Sequence, residues 1–341
     1  MLKNYFVSGN TAEGFVDYLS SNLHGIKETV RIDQESRKMN TAILEQLIAN
    51  NRGKTDIEVL KSPITHRYID GVIFRSKQMA VLGDMKAAFT DKAYDFFQKG
   101  LRIHDELEKI YIDEMDFKKA DELAHEFIDD LLKDVPKRDK EPYVFKRLFG
   151  TNTAEGSVNE VPNLIENLKE IYHIKGRAGT GKSTFMRKVA NACLDRGLDL
   201  EMYHCSFDPN SIDMVLIPEL SVCLFDSTDP HAFEPEDKHR ERVIDLYEET
   251  VTPGTDEKYA EEIQKLTKEY KGYMKQGLKV IKEEAEKMIA EDDKKAFSQK
   301  EANRIAAEIQ TKLNLWDKRG QPLFVPFFLP ISQNGHSIST I

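Results

Sequence analysis

The chain is poor in cysteine and almost without tryptophan: three Cys and one Trp in 341 residues. Cys193, Cys205 and Cys223 are odd in number, show no CxxC spacing and fall in the second half. That excludes a disulfide framework and points to a reducing compartment. Basic charge is not in excess either: 49 Lys and Arg stand against 59 Asp and Glu, a net charge of −10. Such a balance argues against nucleic acid as the main partner. No apolar run approaches the roughly 20 residues that a membrane helix needs. The most apolar stretch, Pro322 to Pro330, is short and broken by prolines. The opening residues, MLKNYFVSGNTAEG, carry no apolar signal core. The expectation is a soluble, cytoplasmic protein with no membrane partner. What is present, 40% hydrophobic and 32% charged residues, suits a helix-rich globular chain, and its length corresponds to roughly two domains.

Those two domains read as two copies of one unit. Asn10-Thr11-Ala12-Glu13-Gly14 recurs verbatim as Asn152-Thr153-Ala154-Glu155-Gly156. The register continues through Ile26-Lys27-Glu28 against Leu168-Lys169-Glu170. After a one-residue gap it resumes with Ile57-Glu58-Val59 against Leu200-Glu201-Met202, and Ile69-Asp70-x-Val72 against Ile212-Asp213-x-Val215. The charged, proline-containing segment Asp134 to Pro142 separates the copies, giving expected domains 1–140 and 141–341.

In the second copy, Ile171 to Ile174 reads as a strand and is followed by a glycine-rich turn. Ser183 to Asp195 has helical apolar spacing at Phe185, Met186, Val189, Ala190 and Cys193, closed by Arg196-Gly197. Leu198 to Tyr203 and Ser221 to Phe225 read as further strands. The expected class is α/β: tandem P-loop NTPase-like three-layer units with parallel sheets covered by helices. Each copy ends in a helical stretch, Asp91 to Asp134 in the first and a long insertion, about 235–315, in the second. The latter is rich in Glu and Lys and reads as a solvated hairpin with i,i+4 charge pairs.

Gly176-Arg177-Ala178-Gly179-Thr180-Gly181-Lys182-Ser183 fits G-x-x-x-x-G-K-[ST] at every fixed position, between a predicted strand and a predicted helix. Glycines let successive backbone N–H groups turn toward phosphate oxygens at a helix N-terminus. In this pattern Lys182 reaches the β- and γ-phosphates, the Ser183 hydroxyl ligates Mg²⁺ and Thr184 bonds the α-phosphate. Val222-Cys223-Leu224-Phe225-Asp226 has the Walker B form, four apolar residues ending in an acid, which makes Asp226 the expected carboxylate on the Mg²⁺ side. The cofactors implied are ATP and Mg²⁺. No N-K-x-D motif specifies guanine, so ATP is preferred over GTP. No L-S-G-G-Q marks an ABC transporter subunit.

Opposite the P-loop, the first copy has Asp33 to Thr41, with no glycine and two acids, and opposite Asp226 it has Gly83. That copy is read as a degenerate partner that binds no nucleotide, with either a structural role or an arginine finger such as Arg37 or Arg67. After the second strand of copy two, His204 to Asp213, followed by Asp229-Pro230-His231, sit where ligand crevices open. Asp208 or His204 is a candidate for a substrate or general-base role, with loop capping as the plainer reading. The spacing of His204, Cys205 and His231 fits no zinc pattern. Cys193 and Cys223 read as inert core. Ser332 to Ile338 loosely echoes the repeat start and reads as a terminal strand or tail.

The segments IKGRAGTGKSTFMRKVA, YHCSFDPNSIDMVLIPEL and FDSTDPH together resemble an uncharacterised bacterial family of duplicated P-loop proteins, described as ATPases or nucleotide-kinase-like. The resemblance spans both copies and is specific mainly from Leu148 to Lys265. Members of that family can carry a Walker A in the first copy, and this chain departs from them there. Two activities follow as expectations. One is a Mg-dependent ATPase or phosphotransferase acting through Lys182, Asp226 and Asp208 on an unidentified acceptor. The other is a nucleotide-gated interaction protein with little turnover, whose helical segment docks a protein partner.

Overall fold

The computed structural model describes residues 1–85, 89, 91–228, 233–314 and 339–340. In the first half the strands are β1 (Leu2–Tyr5), β2 (Ser8–Thr11), β3 (Gly14–Asp17), β4 (Glu28–Arg31), β5 (Ile57–Lys61), β6 (Ile69–Phe74) and β7 (Met79–Leu82). Its helices are α1 (Leu19–Asn22), α2 (Arg37–Asn51), α3 (Asp91–Ile112) and α4 (Phe117–Leu132). The second half supplies β8 (Val144–Arg147), β9 (Gly150–Thr153), β10 (Gly156–Asn159), β11 (Glu170–Lys175), β12 (Leu200–His204), β13 (Ile212–Ile217), β14 (Val222–Asp226) and β15 (Glu241–Asp245). Its helices are α5 (Val161–Ile165), α6 (Lys182–Asp195), α7 (Leu246–Thr250), α8 (Thr255–Lys258), α9 (Ala260–Asp292) and α10 (Gln299–Asn314), followed by β16 (Ser339–Thr340). No helix among the described residues is long and apolar enough to cross a membrane.

The chain is mixed α/β, with two six-stranded sheets of matching order. The first runs β1-β5-β6-β7-β4-β16 and the second β8-β12-β13-β14-β11-β15. Orientations match across the first five strands of each order, with β1 and β5, β8 and β12, β4 and β7, and β11 and β14 all parallel. The sixth strands differ, β16 lying antiparallel to β4 and β15 parallel to β11. The register even shifts at corresponding points, between Leu60 and Lys61 and between Tyr203 and His204.

The sequence pattern suggests parallel sheets, but both sheets are mixed. β13 pairs antiparallel with both β12 and β14. The connection from β13 to β14 is only Pro218 to Ser221, far too short for a parallel crossover, which needs a dozen residues or more. β13 is buried at every position, so its residues, apolar apart from Asp213, show no regular alternation to mark the strand. β15 is a second departure. It lies inside the segment expected to be helical and adds a parallel edge to β11.

Nor does each sheet carry helices on both faces. The outer face of the first sheet (Val59, Val72, Val81) is covered by α2, and that of the second (Leu200, Val215, Leu224) by α6. The inner faces cover each other. Tyr5, Leu60, Ile73 and Leu82 pack with Ile171, Tyr203, Leu216 and Phe225 in one core, giving four layers in the order helix, sheet, sheet, helix. The join is reciprocal. Phe6 and Leu148, 142 positions apart, exchange backbone hydrogen bonds of 2.9 Å each way. The side-chain amides of Asn10 and Asn152 each donate to the other's carbonyl at 3.0 Å. Ala12 N–H donates to Phe207 O, as Ala154 N–H does to Ile64 O. The verbatim NTAEG repeat is thus the part of each half that reaches across to the other. Beside it, fully buried Arg147 pairs with Glu58 (3.1 Å) and Glu201 (2.8 Å). Burial would raise the Glu58 carboxyl, but Arg147 and Arg75 hold it down at about 2.

The helical ends of the halves are exchanged. α3 runs along α9, where Gly277 is required: a Cβ there would lie 2.4 Å from the Phe97 ring. Beyond that crossing, α4 packs on α6 of the second half through Ala124 and Leu132, with Phe127 against Phe185 and Tyr172. In return α10 packs on α2 of the first half through Ala302, Ile305, Ala306, Ile309 and Leu313. The expected hairpin therefore opens out: α9 has α3 as its partner, and α10 has α2. Its i,i+4 pairs are present, as in Lys279–Glu283 and Lys282–Glu286.

Candidate functional site

The glycine-rich loop joins β11 to α6, whose start is set by a left-handed glycine, Gly181 at φ 79°, after Gly179 at φ 77°. Left-handed backbone of that kind is costly for any residue with a Cβ. At Gly179 a Cβ would also sit 2.3 Å from the Glu108 carbonyl oxygen of α3. The loop therefore curls tightly under the exchanged arm. The first N–H groups of α6 have no partners within the helix, and with the helix dipole they make this end attractive to anions.

All nine loop residues expected to bind nucleotide, Gly176 to Thr184, line one cavity of about 990 Å³, together with Asp208 and Asp226. Lys182 Nζ lies 3.7 Å from Asp226 Oδ2 and donates to the carbonyl oxygens of Gly176 (3.2 Å) and Arg177 (2.7 Å). Ser183 Oγ accepts from Ile212 N–H at 2.9 Å, which ties the helix start to β13. Asp226, at the end of β14 beside β11, accepts from Thr228 N–H at 3.0 Å and from the Thr228 hydroxyl. The Arg177 side chain turns away from the loop, stacking 4.7 Å over Tyr247 and pairing with Asp256 at 2.8 Å, so only its backbone contributes to the cradle.

The loop after β12 divides its residues. Asp208 lines the cavity while also capping its own turn, accepting from Asn210 N–H at 3.0 Å. His204 does not line the cavity: its Nδ1 bonds Pro209 O at 2.8 Å and its ring tilts against Tyr18. Asp229-Pro230-His231, Pro322 to Pro330 and Ser332 to Ile338 lie outside the described residues. Cys193 and Cys223 are buried in the core, and burial pushes the Cys193 thiol up to about 12.

Two features of the site come from residues to which the sequence reading gave no role, although Asp213 closes the His204 to Asp213 segment that it placed at the crevice. Asp213, at the start of β13, is buried, and burial followed by the charge of Asp226 raises its carboxyl to about 7. The other is a cluster on α3 of the first half. His104, Asp105 and Glu108 line the cavity, with one ligand atom from each lying within 4.8 Å of the others.

In the first half the corresponding positions are closed. Arg37, at the start of α2, faces Asp84 (3.0 Å) and Asp70 (3.9 Å). Asp70 corresponds to Asp213, and it too is buried and raised to about 7. The end of α2 that would meet a phosphate meets a carboxylate instead. Asp292, the last residue of α9, accepts from the Arg37 and Lys38 N–H groups at 2.9 Å each, and from Ser36 and Tyr68. Burial would raise that carboxyl, but the two backbone N–H groups hold it below its ordinary range. Arg67 pairs with Asp293 at 3.5 Å. Arg37 is thus engaged within the first half and Arg67 with the end of α9, and neither lines the cavity at the second-half loop.

No family model matches the chain, and no curated protein or solved structure is detectably similar to it.

Proposed function

We propose that the second half binds ATP with Mg²⁺ at Gly176 to Thr184 and transfers or hydrolyses the γ-phosphoryl group, and that the first half is a copy of the same unit with its nucleotide site closed. The observation that carries this reading is the contrast between the two helix ends. At α2 the anion-seeking N-terminus is satisfied by the Asp292 carboxylate. At α6 the equivalent end opens on a cavity of about 990 Å³, with Lys182 and Asp226 at its floor. A glycine cradle, one lysine, one hydroxyl and one strand-end carboxylate are the parts that phosphoryl transfer uses, since that chemistry is mostly positioning and charge stabilisation. The donors suit Mg²⁺, a hydroxyl from Ser183 and an oxygen from Asp226. Bound there, the ion would neutralise charge on the β- and γ-phosphoryl oxygens.

Lys182→Ala tests the assignment. With the ammonium gone, the affinity for a fluorescent ATP analogue at fixed Mg²⁺ is expected to fall by about a hundredfold or more, the loss of a desolvated charge contact of roughly 3 kcal/mol. Unchanged affinity would remove the P-loop assignment.

A further inference from the structure

The reading above leaves the attacking group without a proton acceptor, and the polar residue that the loop itself offers, Asp208, is engaged in capping its own turn. The exchanged arm places a different set in the cavity wall. His104 and Glu108 are four residues apart on α3 and so share one face of the helix. His104 Nδ1 lies 3.5 Å from Glu108 Oε1. The His104 ring is held edge-on by Phe207 (5.7 Å) and Tyr270 (5.3 Å). The Glu108 backbone rests on Gly179 so closely that only glycine fits there, which fixes the height of α3 above the loop. Both side chains line the cavity that Lys182, Ser183 and Asp226 also line.

We propose that Glu108, a residue of the first half, accepts the proton from the hydroxyl that attacks the γ-phosphoryl group at the P-loop of the second half, with His104 as its positioning residue. This rests on the nucleotide reading above. In the step, the hydroxyl oxygen bonds to the γ-phosphorus and its proton passes to a Glu108 carboxylate oxygen. The bridging P–O bond breaks and its electron pair leaves with ADP. The electrostatics agree with the geometry. Burial, then Asp105, raises the Glu108 carboxyl above its usual range, with Asp208 adding to the rise and Lys182 opposing it. A carboxylate so raised is a better proton acceptor than an exposed one. Burial, then Lys182, brings His104 down to about 4, so it is neutral and adds no competing positive charge. The arm also gives a chemical reason for a first half that lacks its own nucleotide site: the second half's reaction needs α3.

The test uses the full chain carrying Glu108→Gln, read by thermal melting, by affinity for the fluorescent ATP analogue at fixed Mg²⁺ and by ATP turnover. Expected are an unchanged melting temperature, an affinity within about threefold of wild type and a turnover lower by about a hundredfold or more, the usual worth of a general base. Partial recovery in Glu108→Asp is expected as well. Turnover within about threefold of wild type would overturn the proposal, and so would a wild-type chain that binds the analogue but turns nothing over; either result leaves the binding assignment standing. A loss of affinity matching the loss of turnover would also overturn it, making Glu108 a residue needed for binding and not for the proton transfer. If the wild-type chain does not bind the analogue, the nucleotide reading and this proposal fall together.

Discussion

Residues 141–341 expressed alone are expected to be unstable or insoluble, although they contain the whole glycine loop, α6 and the second sheet. The cut at the charged linker removes α4, whose Ala124 and Leu132, with Leu123, Phe127, Ile128 and Leu131, pack on the outer core of that sheet. It also bares the inner face that the first sheet covers. A buried aliphatic or aromatic side chain contributes about 1.5–3 kcal/mol, so losing even four or five of them approaches the whole stability of a domain, about 5–15 kcal/mol. Residues 1–140 face the converse loss, since α10 leaves the α2 face. Mixing the two fragments should restore a cooperative melt, because every contact of the exchange is intermolecular in the mixture. A 141–341 fragment that melts and binds ATP like the intact chain would contradict the exchanged-arm account.

Asp226→Asn is expected to separate binding from reaction. The substitution keeps the shape and the acceptor for Thr228 N–H, so ATP affinity should stay within about tenfold. Turnover should fall by about a hundredfold or more, because the ion's charge acts mainly on the transition state. The comparison is of the fluorescent-analogue isotherm with steady-state ATP turnover for the same protein. Equal losses in both would make Asp226 a structural strand end, and buried Asp213 beside it would be the next residue to test.

Much of the candidate site's floor is legible in the sequence, because it is contiguous. Gly176 to Ser183 sits between an apolar strand and an amphipathic helix, and Asp226 ends an apolar run, so local pattern alone brings them to neighbouring strand ends. The arrangement above that floor is not legible, because amphipathic spacing states that a helix has a buried face without stating against what. Nothing in α4 or α10 tells which helix each will meet, α6 for α4 and α2 for α10. There is nonetheless a signal in α3. Phe97, Leu101, His104, Glu108 and Tyr111 follow alternating steps of four and three, the spacing of one buried stripe. His104 and Glu108 stand where apolar residues belong. The same holds in α9, where Ile281, Ala285, Met288 and Asp292 form a stripe that ends in the carboxylate closing the first-half site. A polar residue at a stripe position is costly to bury without a partner, and in both helices that position marks a site.

The most direct measurement is amide hydrogen exchange on the intact chain with and without Mg²⁺ and ATP. ATP is expected to slow exchange at the amides of Gly176 to Thr184, where backbone N–H groups would meet phosphate oxygens. It should leave Asp33 to Thr41 unchanged, because the Asp292 carboxylate already holds the Arg37 and Lys38 amides. Slowed exchange in the first-half segment, or no change at the glycine loop, would contradict the assignment of one open and one closed nucleotide site.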